Sequence, residues 1–331
     1  MSAAVAGSRS PSRARRRALG TVAGLSAGAA VGVAGHAPAT AATSAAAPAP
    51  ERFAFAVLGD IPYSTLEERR LQQILAELDS DRLACVIHVG DIKGGREPCS
   101  DELLARRKAL LAQSAHPMVV LHGDNEWTDC HRPAAGGYDP PERLRHLRRL
   151  FHDSATSLGA RALPLERQPQ MPENVRWRIG AVQFVTLHVV GSGNGRDGYP
   201  GSRAEWSTRN GLNGQWLRAS VDQALASGVD AMVLAAHADP DFGDAPKPGF
   251  ADFIGQLREA CRRFAGQILF LHGDSHRFRA DQPLEDEAGR TVRTFTRVET
   301  FGSPFASSWV RIRYDPDLAQ RFFVTTRELS N

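Results

Sequence analysis

Five apolar runs in the sequence end in residue types able to hold a metal ion or a phosphoryl group. Their exits read Val57-Leu58-Gly59-Asp60, His88-Val89-Gly90-Asp91, Leu121-His122-Gly123-Asp124-Asn125-Glu126, Leu234-Ala235-Ala236-His237 and Leu271-His272-Gly273-Asp274-Ser275-His276. One Gly-Asp pair alone is a turn or a helix cap. Repeated at successive run exits it implies a shared site, because ligands of α/β sheets bind beyond the carboxyl ends of the strands. Asp and His supply the mixed oxygen and nitrogen donors that Mn, Fe, Zn or Mg sites use, and clustered carboxylates without arginine neighbours need a cation to tolerate one another. Glycine before the aspartate lets the backbone turn sharply and come close to a bound group. His88 lies inside a run and reads as a core histidine.

The elements that must position these residues alternate along the chain. Residues 53–58 are a short apolar run. Ser64 with Glu67 three residues later is a capping box that opens an amphipathic helix through Leu78, and residues 83–89 form the next run. Helices are expected over 100–113, 140–152, 213–226 and 250–264, and strands over 118–121, 182–190, 229–236 and 267–271. Closing strands are expected over 291–298, 309–314 and 321–326. Strands joined first by helices and then by hairpins imply two packed sheets with helices outside.

The chain has 331 residues of ordinary globular composition, 42% hydrophobic and 23% charged. Its net charge of +3 misleads, because Arg9, Arg13, Arg15, Arg16 and Arg17 are unopposed by any acid before Glu51. The remainder is slightly acidic, which argues against a nucleic-acid partner by bulk charge. Residues 1–41 read as a cleaved signal peptide: Arg16-Arg17 resembles a twin-arginine export signal, a weak Gly/Ala-rich apolar stretch follows, and A-x-A steps end it. Glycines break that stretch too often for a stable membrane anchor. Residues 42–52 read as a linker before a single domain over 53–331. Export makes disulfides admissible. Cys85 and Cys261 lie in apolar or helical patterns, whereas Cys99 and Cys130 follow two of the Gly-Asp motifs, so a Cys99–Cys130 bridge is expected.

In order and setting the motif series resembles the calcineurin-like metallophosphoesterase superfamily, which includes the purple acid phosphatases, over roughly residues 53–278. The resemblance implies a four-layer α/β/β/α sandwich of two mixed β-sheets flanked by helices. By position it implies Asp60 and His276 on a first metal, Asp91 bridging, and Asp124, His237 and Asp274 on a second. Three positions depart from the family pattern. Pro62 stands where a histidine is usual, leaving Tyr63 or water to replace it; Asn125 stands in place of the histidine credited with protonating the leaving group; Asp274 replaces a histidine, which enriches the second site in oxygen and favours harder ions.

The implied activity is hydrolysis of phosphate esters by two divalent ions that activate a water, with Mn or Fe favoured and Mg, Zn or Ca admissible. Asn125 is a candidate phosphoryl contact, and His272, His122 or His131 a candidate proton donor. Lys93-Gly94-Gly95 could bind an anion, and the loop 191–196 could border a substrate. The expected partners are a small phosphorylated substrate and the export machinery, on a monomer that acts outside the cytoplasm. Two rivals remain, a non-catalytic exported binding protein on the same fold and a phosphodiesterase or nuclease.

Overall fold

A computed structural model describes residues 51–243 and 246–329, so the signal-peptide reading and all but the end of the linker lie outside the described residues. The first three strands, β1 (Phe53–Leu58), β2 (Val86–His88) and β3 (Met118–Val120), run parallel. Seven more form a second sheet: β4 (Glu166–Gln168), β5 (Met171–Ile179), β6 (Val182–Thr186), β7 (Ala231–Ala235), β8 (Gln267–His272), β9 (Arg279–Asp281) and β10 (Phe295–Glu299), in the order β4-β5-β6-β7-β8-β10-β9. The last two, β11 (Ser308–Tyr314) and β12 (Phe322–Glu328), return antiparallel beside β1, so the first sheet reads β12-β11-β1-β2-β3.

Alternation along the strands builds the layers. In β1, Phe55 and Val57 enter the core shared by the two sheets, while Ala54, Ala56 and Leu58 face the helices Thr65–Ser80, Asp101–Leu111 and Pro140–Phe151. In β7, Val233 and Ala235 enter the same central core, while Met232 and Leu234 pack under helices Ser202–Ser227 and Ala251–Arg263. Three apolar cores thus separate four layers, the expected α/β/β/α sandwich. Strands buried on both faces are apolar throughout, which made them conspicuous in sequence.

The strands that carry the motifs end level with one another. Leu58 pairs with His88 and His88 with Val120 in the first sheet, Ala235 pairs with Leu271 in the second, and the approach of His237 to Asp91 and of His276 to Asp60 brings all five exits to one edge. Ser64 caps its helix by accepting from the Glu67 amide at 3.3 Å. The Glu67 carboxylate does not close a capping box on Ser64. It accepts from the Tyr63 amide at 2.6 Å and the Ser303 hydroxyl at 2.7 Å, tying two site loops to the helix start.

Several boundaries differ from expectation. The helix expected over 213–226 begins at Ser202, because Arg209, Asn210 and Asn213 are buried polar residues with partners and so break the apolar periodicity. Strand β5 went unrecognised since Pro172, Glu173 and Asn174 mask its alternation, although Val175 and Trp177 enter the central core. The strand expected over 182–190 stops at Thr186.

Candidate metal centre

Most of the candidate ligands stand on strained backbone. Asp60 (φ 54°), Asp91 (φ 55°), Asp274 (φ 76°) and His276 (φ 62°) all adopt the left-handed conformation that side chains other than glycine seldom take, and such outliers concentrate at functional sites. Backbone bonds hold them there: the Asp60 amide donates to the Gly90 carbonyl at 2.9 Å, and the Asp60 carbonyl accepts from the Ser303 amide at 3.0 Å. Glycines leave no room for a side chain beside the carboxylates. A Cβ on Gly123 would collide with Asp91, one on Gly273 with Asp60, and one on Gly191 would come within 2.5 Å of Asp274 Oδ1 and 2.6 Å of Asp124 Oδ1.

The carboxylate of Asp91 faces two ways. Its Oδ2 accepts from the Tyr63 hydroxyl at 2.9 Å and from Asn125 Nδ2 at 2.5 Å, while Oδ1 accepts from the Asn125 amide at 3.1 Å and lies 3.5 Å from His237 Nε2. On the Oδ2 side, Tyr63 Oη is 3.3 Å from His276 Nε2, which is itself 3.5 Å from Asp60 Oδ1. On the other side, His237 Nε2 lies 3.2 Å from Asp124 Oδ1 and 3.8 Å from Asp274 Oδ1. Donor atoms of Asp60, Asp91 and His237 fall within 4.8 Å of one another, as do those of Asp124, His237 and Asp274.

Both histidines are oriented for ligation. Nδ1 of His237 donates to the Val89 carbonyl at 3.1 Å and Nδ1 of His276 to the Ser303 carbonyl at 2.6 Å, which turns each Nε2 toward the carboxylates, where loss of its proton would free it for a metal. The charge balance of the bare cluster is poor, as expected of groups that belong around cations. Burial pushes Asp91 well above the usual carboxylate range, with the charges of Asp124, Glu126 and Asp60 adding to it, and burial likewise raises Asp274 to about 6. Burial opposes a charged His237, yet the surrounding aspartates, Asp91 foremost, outweigh it and raise its pKa well above the ordinary value. The chemistry of this donor set, buried carboxylates and oriented imidazoles with no lysine or arginine touching Asp60, Asp91 or Asp274 side chains among the described residues, fits two divalent ions.

The proposed proton donors do not join this cluster. His122 is buried, its Nε2 is 2.8 Å from Nε2 of His152, and its Nδ1 lies 3.7 Å from Glu126. Strand alternation turns His272 toward the outer core, where it stacks on Phe270 and donates to the Gly273 carbonyl at 2.9 Å; burial lowers its pKa to about 4. His131 donates to the Thr128 carbonyl at 2.7 Å. His88 is a core histidine bonded to the Ile61 carbonyl at 2.9 Å. Lys93 is buried with its ammonium turned back on the Gly94 carbonyl, so it does not present a charge to an anion. Asp239, just beyond His237, is paired with Arg279 at 2.6 Å.

Cys99 and Cys130 are joined by a disulfide whose Cα atoms are 5.8 Å apart. Two residues of the quoted segments take roles that their sequence positions do not assign. Glu126 Oε1 accepts from the Gly123 amide at 2.8 Å and the Asp91 amide at 3.2 Å, clamping two site loops together. Ser192 donates to Asp124 Oδ2 at 2.6 Å from within the 191–196 loop, whose Gly-Ser-Gly-Asn run was its one signal.

Among solved structures, a dimetal phosphatase from Danio rerio is 13% identical over 84% of this chain and 99% of its own, with a TM-score of 0.52. The calcineurin-like phosphoesterase YfkN from Bacillus subtilis is 11% identical over 84% of this chain and 91% of its own, with a TM-score of 0.41. GAP50, described as the anchor in the inner membrane complex of Plasmodium, is 10% identical over 84% and 89%, with a TM-score of 0.47. No sequence-family profile and no curated protein matches the chain. The chain has the calcineurin-like phosphoesterase fold, two mixed sheets flanked by helices, and at its strand exits groups of residues suited to divalent metal ions.

Proposed function

We propose that this protein hydrolyses small phosphate esters with two divalent metal ions. The observation that carries the reading is the divided carboxylate of Asp91, one oxygen toward Tyr63 and His276 and the other toward His237. Asp60, His276 and Tyr63 would hold one ion, Asp124, His237 and Asp274 the other, with Asp91 between them. Such ions supply Lewis acidity that activates a water and neutralises charge on phosphoryl oxygens. The chain's own part is to hold these donors. Asn125 keeps both oxygens of Asp91 in place, Glu126 fixes the two loops, and Gly123, Gly191 and Gly273 leave the carboxylates their room.

Protein purified without chelators would be assayed for bound metal and for hydrolysis of an aryl phosphate and a bis(aryl) phosphate with Mn²⁺, Fe²⁺, Mg²⁺, Zn²⁺ or Ca²⁺ added separately. Two bound ions and turnover of either ester are expected. A folded protein that hydrolyses neither with any ion defeats the proposal. A binding protein on the same fold is the second reading, favoured by Asn125 at the position of the family's acid; one ion or none, without turnover, would be its signature.

The catalytic domain is read as residues 53–331, exported after cleavage near residues 40–42. The disulfide supports export, and no described helix is long and apolar enough to cross a membrane. An intact Met1 on exported protein would contradict the cleavage.

A further inference from the structure

The loop 191–195 and the turn that follows Asp124 meet at the rim of the second candidate metal position. Ser192 (φ 51°), Gly193 (φ 67°), Asn194 (φ 59°) and Gly195 (φ 63°) are four successive left-handed residues, two of them bearing side chains. This conformation is held by a buried arginine. Arg209 donates to Asn194 Oδ1 at 2.6 Å and to its carbonyl at 2.8 Å, while Asn194 Nδ2 donates to the Gly249 carbonyl at 3.0 Å. The result is to set the Ser192 hydroxyl on Asp124 Oδ2.

The turn opposite is equally fixed. The Asp129 amide donates to the Asp124 carbonyl at 3.0 Å, the Arg132 amide donates to the Asp129 carbonyl at 3.0 Å, and Cys130 is bridged to Cys99. Arg132 is thereby presented at the rim, its side chain 48% exposed, with one terminal nitrogen 2.6 Å from Asp129 Oδ2 and the other donating to Ser192 Oγ at 3.3 Å. A guanidinium carries five N–H donors, so these two contacts leave others directed to solvent.

Resting on the phosphoesterase reading, we propose that Arg132 is a specificity-determining residue, which binds a terminal phosphoryl oxygen of the substrate and selects dianionic monoesters over monoanionic diesters. The chain Arg132 to Ser192 to Asp124 places a cation two hydrogen bonds from a candidate ligand of the second ion. Arginine matches phosphate oxygens geometrically, and a cation favours a doubly charged phosphoryl group over a singly charged one.

The test compares metal-loaded wild type with Arg132→Gln and Arg132→Lys. Affinity for inorganic phosphate is read by calorimetry, and KM and kcat are measured for 4-nitrophenyl phosphate and bis(4-nitrophenyl) phosphate. Arg132→Gln is expected to bind phosphate about ten-fold more weakly and to raise KM for the monoester by a similar factor, the order of a lost charge-assisted hydrogen bond, with bound metal and diester kinetics little changed. Arg132→Lys should recover part of the loss. Equal effects on both esters, or phosphate affinity within about two-fold of wild type, would overturn the assignment while leaving the phosphoesterase reading intact. If metal-loaded wild type neither binds phosphate nor turns over either ester, both fall.

Discussion

Tyr63, the residue after Pro62, sets its hydroxyl between Asp91 Oδ2 and His276 Nε2. Burial and the Asp91 and Asp60 charges raise its pKa well above that of a free phenol, so in the bare protein it is a hydrogen-bond donor to Asp91. Tyr63→Phe is expected to weaken one ion by about 10- to 100-fold, the usual cost of losing a group that holds or orients a ligand, and to spare the other. Titration with Mn²⁺ by calorimetry would resolve the two sites, and unchanged affinity at both would remove Tyr63 from the centre. Asp91 should behave differently because its oxygens serve both sides. Asp91→Asn is expected to lose both ions and nearly all hydrolysis, whereas Asn125→Ala should keep the metal and lower turnover by about ten-fold or more. Metal analysis alongside a hydrolysis assay separates these phenotypes; full activity in Asp91→Asn would exclude a bridging role.

At the level of elements, the disulfide does more than join two loops. Asn125, Asp129 and Arg132 ride on the turn that Cys130 anchors, and the Cys99 end of the bridge is tied in turn to the Pro140–Phe151 helix through Arg143, which donates to the Cys99 carbonyl at 2.9 Å. For a sequence separation of 31 residues the chain-entropy account gives about 3 to 4 kcal/mol of stabilisation. Replacing both cysteines by serine should cost an amount of that order in denaturant unfolding and should lower turnover by displacing Asn125; an unaltered midpoint and rate would limit the bridge to a passive link. The pairing was legible because both cysteines follow motifs on adjacent parallel strands, β2 and β3. The ligand-bearing exits were legible for a related reason, since doubly buried strands are apolar throughout and stop abruptly. Helix residues 202–212 were not, because Arg209 and Asn210 face inward to partners that sequence does not display. The same holds for Ser192 and Glu126, whose roles depend on loops from distant parts of the chain meeting.

Across the whole molecule, the site competes for protons with the ions it is built to hold, and the sign of that competition can be worked out. Asp274 and Asp129 titrate at about 6 and about 7 in the folded, metal-free protein, both raised mainly by burial, against an unfolded carboxylate value near 3.8. His237 is likewise raised, by its aspartates. In each case the folded state binds more protons than the unfolded state, so the two aspartates contribute less to stability as pH rises from about 4 through 7, and His237 contributes less from about 6.5 upward. Buried neutral histidines work in the opposite sense: burial lowers His272 to about 4, so its contribution grows between about 4 and 6.5. The net slope of the bare protein therefore mixes opposing terms, but the increment produced by metal isolates the site. Divalent ions require the deprotonated carboxylates and free imidazoles, so the rise in Tm on adding saturating Mn²⁺ should be small at pH 5 and larger at pH 7.5. His237→Ala, which removes the imidazole assigned to the second ion, should reduce that pH-dependent increment, while Arg290→Gln on the exposed 286–290 turn should preserve it. Calorimetric scans with and without Mn²⁺ at the two pH values make the comparison. A metal increment that is the same at both values, or that survives intact in His237→Ala, would place the bound ion somewhere other than these strand exits.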